Sequence, residues 1–399
     1  MAEMTQREYV RKRQEEAGAY SKAIPELFDM AVSYIARGEE AARQGKKVVW
    51  SSGLWEAPII YACDTMPVAF TELGRLANPD SMLIAEDYFQ VPRDICTMVN
   101  VLLGEWFLRR DGDIKRLLGF NGSCESFNLA WELLKQEGYD VKRIESAYIT
   151  PGMSKEEFDR RASFLTEQLY DAARWLNHGE ELDEDKLRFE IVRKNRIFKK
   201  IQYILEKRLE NPLFLKSLDT MYLITGGSHC FGDPERFEGI LDRLIEELDA
   251  DLYHPDASGI IPLVWSGSRG QEFGVYQALD ELGAAVLGWV IPAPFSRLYE
   301  EDVPPVEAVA RFVMQASETS GSIVSFTEAA MAQLDKVHAK GVLLYNYVGC
   351  SLGGVSLEYE RNYFHDRNIP CLSVDGNFQV GAPSGQLITR VRAFIEMLS

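Results

Sequence analysis

The chain has 399 residues, 46% of them apolar and 26% charged, which suits a globular protein of two or three domains with a sizeable core. Acidic side chains outnumber basic ones 61 to 43, a formal charge of −18. Such a surface repels nucleic-acid phosphates and anionic membranes, so neither is expected as a partner, although a local basic pocket for a small anion stays compatible with it.

Residues 4 to 45 carry helical periodicity rich in Glu, Arg, Lys and Ala and predict one or two helices, an N-terminal helical unit over 1–45. From 46 to 152 strands and helices alternate. "KKVVWSS" and "MPVAF" read as strands around the helix "EAPIIYACDT", and a polar turn, "EDYFQVPRDI", leads to the helix "DICTMVNVLLGEWFLRR". "IKRLLGFNGSC" then reads as a strand running into a turn, followed by the helix "ESFNLAWELLKQEG" and the strand "VKRIESAYIT". Residues 153–215 are helical throughout and form a connector. A second α/β unit over 216–399 opens on "TMYLITGG" as a strand and continues with the helix "DPERFEGILDRLIEEL" and the strand "GIIPLVWSGS". It closes with strands "GVLLYNY" and "IPCLSVDG" and the amphipathic helix "GQLITRVRAFIEML". The pattern predicts an α/β protein with two doubly wound parallel-sheet domains, plus N-terminal and connecting helices. No apolar leader and no membrane-length run is present, so the protein is expected in the cytoplasm.

In a reducing compartment the six cysteines are free thiols, catalytic groups or metal ligands rather than a disulfide scaffold, and without a C-x-x-C pair a zinc ribbon is not expected. Cys96, Cys124 and Cys350 each follow an extended or polar stretch and open a helix. Parallel sheets bind ligands beyond the carboxyl ends of their strands, and a helix N-terminus favours a thiolate. Thiolates are the natural ligands of iron–sulfur clusters, and three such loops meeting at a point would hold a cubane with its fourth iron open. The plainer reading of any free cysteine is a small core hydrophobe, which suits Cys63 in "IIYACDT" and Cys371 in "IPCLSV". Cys230, in the Gly-rich "GGSHCFGD", stays open as a fourth site thiol. The stretch "LITGGSHCFGDPERF" is read as an ordinary turn, since it has neither G-x-G-x-x-G nor a Walker lysine. His229 has no second histidine at ligand spacing. The run "HGEELDEDKLRFEIVRKNR" reads as a solvated helix face.

At these cysteines the sequence resembles the 2-hydroxyacyl-CoA dehydratase family, which includes the ATP-dependent benzoyl-CoA reductases. The resemblance is carried by "VVWSSGLWEAPIIYACDTMPVAF", "RDICTMVNVLLGEW", "LLGFNGSCESFNLAWE" and the C-terminal run from "AKGVLLYNYVGCSLGG" to "GQLITRVRAFIEML". It implies one [4Fe–4S] cluster between the two domains, with Cys96, Cys124 and Cys350 as ligands. It further implies pairing with a related cluster-binding subunit, as a heterodimer or a homodimer. A separate ATP-hydrolysing iron–sulfur activator would deliver one electron, so that ATP is not bound by this chain. The substrate would be an acyl-CoA, reduced at its thioester carbonyl to a ketyl radical that loses the C2 hydroxyl and gives a 2-enoyl-CoA. Ser51, Ser52 and Gly53 at a strand end would approach iron or substrate, with Ser52 and Glu72 as catalytic candidates. Glu72 lies, across a one-residue gap, near the position of an active-site acid in some members. Glu56 is a further acid where many members read Pro-Glu-Glu and this chain reads "WEAPI", which leaves the substrate class open. Three readings remain: a dehydratase subunit, a subunit of an aromatic acyl-CoA reductase, and a non-catalytic electron-relay or structural subunit.

Overall fold

The computed structural model describes residues 6–399 except 53–54, 122–123, 146, 148, 151, 269, 271–272, 292–294, 296, 321–322 and 377–384. Its N-terminal part is three helices rather than one or two: α1 (Gln6–Ala17), α2 (Ala23–Val32) and α3 (Tyr34–Arg43), the last two separated only by Ser33. The first sheet contains β1 (Val48–Ser51), β2 (Met66–Ala69), β3 (Arg116–Asn121) and β4 (Asp140–Glu145) in the order β2-β1-β3-β4, all parallel. Between its strands lie α4 (Ala57–Ala62), a 3-10 turn at Phe70–Leu76, α5 (Ser81–Phe89), α6 (Thr97–Leu108) and α7 (Glu125–Gln136). The expected polar turn before Cys96 is therefore shorter than read, because α5 extends to Phe89.

Two long helices follow, α8 (Lys155–Leu176) and α9 (Glu184–Glu210). Their starts are fixed by side-chain caps: Ser154 Oγ accepts from Glu157 N, and Asp183 accepts from the amides of Asp185 and Lys186. Next come α10 (Ser217–His229), a 3-10 turn at Cys230–Gly232 and α11 (Pro234–Ala250). The second sheet holds β5 (Ile261–Gly267), β6 (Ala284–Val290), β7 (Gly341–Tyr347) and β8 (Cys371–Gly376), also all parallel, in the order β6-β5-β7-β8. It is accompanied by α12 (Phe273–Glu281), α13 (Pro305–Ser320), α14 (Ile323–Val337), α15 (Ser351–His365) and α16 (Gly385–Leu398).

Both sheets thus share one strand order, and the chain reverses its direction of travel between the first and third strand of each. That reversal is the topological switch point at which open α/β sheets bind ligands. Alternating residues of the second sheet divide between two clusters. Leu263, Trp265, Leu343 and Tyr345 belong to a core shared with Val49, Trp50 and Leu117 of the first sheet, while Val264, Val342 and Leu344 join α14 and α15 on the other face. Both faces are therefore covered, as a parallel sheet requires.

The segment "TMYLITGG", expected as a strand, is the middle of α10. Every residue of α10 is buried, its polar ones included, so it carries no amphipathic period by which a helix is told from a buried strand. Its two glycines admit neighbours rather than turn the chain: a Cβ on Gly226 would come within 2.3 Å of Phe237, and one on Gly227 within 2.7 Å of Ile201. Among the described residues no helix is long and apolar enough to cross a membrane.

A thiol-lined candidate site between the two sheets

Cys96, Cys124 and Cys350 occupy one structural position on three helices, the N-caps of α6, α7 and α15. At Cys350 the sulfur accepts the amide N–H of Gly353 at 3.3 Å, whereas the Cys96 and Cys124 caps have no such side-chain bond and feel the amides of Val99 and Phe127 only electrostatically. Cys124 and Cys350 follow β3 and β7, the third strands of the two sheets, so the repeated strand order brings them to equivalent places.

A close backbone crossing joins the halves. Thr97 N donates to Val348 O at 2.9 Å, and Thr97 Oγ1 and Val348 N both donate to Gly376 O, at 3.2 and 3.0 Å. Gly349 lies over the loop before α6 with φ of +72°. A Cβ there would stand 2.5 Å from Asp94 O and 2.6 Å from Ile95 O, so only glycine fits. The crossing places the Cys96 and Cys350 thiols in hydrogen-bond contact, with Cys124 in electrostatic reach of both. Hydrogen bonding to Cys350 and burial push the Cys96 thiol well up from its ordinary range. Burial, and then the nearby Cys350, raise Cys124, while the helix amides pull both down. Without metal the Cys96 and Cys124 thiols are therefore held on the protonated side, and a cation among them would reverse the balance.

The donor set is soft and thiol-only, which suits iron–sulfur rather than a hard cation. Among the described residues no three His, Cys, Asp or Glu side chains close on a single metal ion.

Ser51 closes β1, and Ser52 and Glu56 follow it; Gly53 lies outside the described residues. The Ser51 hydroxyl is buried and, among the described residues, has no hydrogen-bond partner. Ser52 Oγ donates to Glu56 Oε1 at 2.5 Å and Trp55 N donates to Glu56 Oε2 at 3.0 Å, so the two candidates form one unit with an acceptor carboxylate. Tyr299 reaches from the second domain to Trp55 O at 3.1 Å, and Trp55 packs edge-on against Phe120 of β3. Glu72, 4% exposed, leaves the end of β2 beside Thr71, whose hydroxyl donates to Ser52 O at 3.4 Å. Its Oε1 is 4.0 Å from His229 Nε2.

Cys230 is not beside the other three thiols. It forms the left-handed C-cap of α10, fully buried, rather than part of a polar loop, and Lys194 Nζ lies 3.9 Å from its sulfur. Burial raises its thiol. Cys63 is buried at the end of α4 and Cys371 opens β8, away from the crossing. The charged run read as a solvated face is so only in part: Lys194 and Asn195 within it are buried where α9 packs against α4, α10 and α13. Sequence reasoning therefore missed Lys194, Asn195 and Tyr299; the helical period of α9 does place the first two on the inward side of Ile191 and Phe198.

Two parallel-sheet domains that cross at their switch points over a set of helix-capping thiols define a class of α/β proteins with a cysteine-lined interdomain site. The family described as 2-hydroxyglutaryl-CoA dehydratase, D-component (HGD-D) matches residues 56–398, and the chain belongs to that family. It is a 2-hydroxyacyl-CoA dehydratase-type subunit. The matched span takes in Glu56, Glu72 and all three capping cysteines. No curated protein matches the chain.

Proposed function

We propose that this chain is the cluster-binding subunit of a 2-hydroxyacyl-CoA dehydratase, with Cys96, Cys124 and Cys350 holding a [4Fe–4S] cluster. The observation that carries the reading is the meeting of three helix-capping thiols at the interdomain crossing. When bound, the cluster would supply an electron at low potential and a Lewis-acidic iron for the thioester oxygen.

The chain's own residues have the remaining work. Loss of water from a 2-hydroxyacyl-CoA needs an acceptor for the C3 proton, which is weakly acidic until the thioester is reduced. Glu72, buried at the end of β2, is the proposed acceptor. The Ser52 hydroxyl, oriented by Glu56, is the proposed hydrogen-bonding group at the end of β1. The aromatic edge formed by Trp55, Tyr299 and Phe120 would keep bulk water from the reacting carbons. A related cluster-binding subunit and an ATP-dependent iron–sulfur activator complete the proposal as partners, with acyl-CoA as substrate.

The test is anaerobic. Iron and sulfide counts near four per chain, with a broad charge-transfer absorption, are expected; a chain that reconstitutes without iron overturns the cluster. With partner, activator and ATP present, turnover of a 2-hydroxyacyl-CoA but not of an aromatic acyl-CoA is expected, and the reverse preference would make the chain a reductase subunit.

A further inference from the structure

The end of α10 is held by hydrogen bonds from three neighbouring helices. Lys194 of α9 donates to Ser228 O, Tyr61 of α4 donates to His229 O at 2.6 Å, and Arg37 of α3 donates to Phe231 O at 2.7 Å. Within this clamp Cys230 and Phe231 are consecutive non-glycine residues with positive φ, +51° and +45°. L side chains seldom adopt that conformation, and it persists only where the surroundings over-determine it. Its local effect is specific: the turn brings Phe231 N–H to His229 Nδ1 at 3.1 Å. The His229 ring is stacked on Tyr34 at 4.9 Å and 15°, with the edge of Phe231 against it. Tyr34 in turn accepts from Ala69 N at 2.9 Å and donates to Pro67 O at 2.7 Å, which pins the strand end from which Glu72 departs.

A ring nitrogen that accepts a hydrogen bond carries no proton, so a neutral His229 bears its proton on Nε2. That atom lies 4.0 Å from Glu72 Oε1, and both side chains are almost wholly buried. We propose that His229 is the positioning residue for Glu72, its Nε2–H fixing the carboxylate as acceptor of the substrate's C3 proton. This rests on the reading of Glu72 as the base. In that step the C3–H bond breaks and its proton goes to a Glu72 oxygen, while His229 neither gains nor loses one, Nδ1 being occupied and Nε2 already protonated. Contacts of catalytic groups in ligand-free proteins commonly shorten once substrate is bound, and a change of about 1 Å brings this pair to hydrogen-bond length.

The test separates the two ring nitrogens. The amide of glutamine falls near Nε2 and keeps a donor for Glu72, whereas that of asparagine falls near Nδ1 and keeps only the Phe231 contact. In the assembled dehydratase, His229→Gln is expected within about threefold of the parent kcat, while His229→Asn loses about 10- to 100-fold in kcat at unchanged KM. Equal behaviour of the two overturns the proposal. Independently of activity, nitrogen-15 histidine spectra of the full-length chain, with His229 assigned among the five histidines by its loss in His229→Gln, should show a neutral Nε2–H ring. In Glu72→Gln the Nε2 signal should shift while the tautomer stays. An imidazolium or an Nδ1–H ring overturns the assignment of His229. If Glu72→Gln keeps its kcat, the base reading fails and the proposal with it, and the spectrum reports whether the His229–Glu72 contact exists apart from catalysis.

Discussion

A thiol at a helix N-cap feels two opposed influences. Burial favours the neutral form, while the N-terminal amides and dipole favour the thiolate. At Cys96 and Cys124 burial and the neighbouring sulfur prevail without metal, so bound iron rather than the scaffold would stabilise the deprotonated state. Single Cys96→Ala, Cys124→Ala or Cys350→Ala variants should therefore lose most of their iron, measured by iron and sulfide analysis after anaerobic reconstitution. Cys63→Ala, Cys371→Ala and Cys230→Ser should keep it, the first two at a packing cost of about 1 kcal/mol or somewhat more. Full iron in Cys124→Ala would remove that residue from the ligand set. The helix-opening places of the three cysteines were legible in sequence because a strand or turn signal precedes each and an apolar period follows. Lys194 and His229 were not legible in this way. A lysine in a charged helical run reads as solvated, and a lone histidine reads as nothing, until the helices crossing over them are known.

At the scale of elements, the βα alternation declared both parallel sheets, but it misjudged α10 and left β6 unread. A helix buried on every side has no polar face to set its period against a strand's, and only neighbours distinguish the two. The contact between the two sheets depends on a glycine that no pattern singled out. Gly349→Ala would force its Cβ against two carbonyl oxygens and a positive φ on alanine, a strain of about 1–3 kcal/mol. Relief would separate the loop of Cys350 from that of Cys96, so this variant should fold yet reconstitute with less iron; normal iron content would show that the crossing is dispensable. Another element-scale lock joins α9 to α11, where Arg196 and Lys200 pair with Glu238, the latter at 2.8 Å. The hydrogen bond from Arg196 is the main cause that holds the Glu238 carboxyl down at about 2, against an ordinary 4.5. A depressed carboxylate contributes stability that is complete above the unfolded value and declines as pH falls through the folded one. The stability difference between parent and Glu238→Gln, from denaturant titrations, should thus be largest above pH 4.5 and shrink towards pH 2. A difference constant over that range would show that the pair does not couple to folding.

For the molecule as a whole, the N-terminal helices are the straps that make two domains one body. The α1 helix reaches the second domain through Arg13, which holds Asp219 of α10 with two hydrogen bonds, at 2.6 and 3.3 Å, and through Tyr9, which donates to Asp280 of α12 at 2.8 Å. The α3 helix reaches the first through Tyr34. Beneath them a single apolar cluster runs from Val49 and Leu117 to Trp265 and Leu343, so neither sheet has a core of its own on the facing side. A site assembled from loops of both sheets needs this continuity, because relative motion would pull its thiols apart. Elements that share one core unfold together, so scanning calorimetry of the metal-free chain should show one transition rather than two. Arg13 and Asp219 are both buried, and removing one partner strands the other's charge in a low-dielectric interior. Arg13→Met, which keeps the aliphatic stem and deletes the guanidinium, should lower the stability of the entire molecule by about 3–5 kcal/mol and move the single transition down intact. Splitting into two transitions, with only the later one at the parent temperature, would mean that the domains are independent and that α1 secures the second alone.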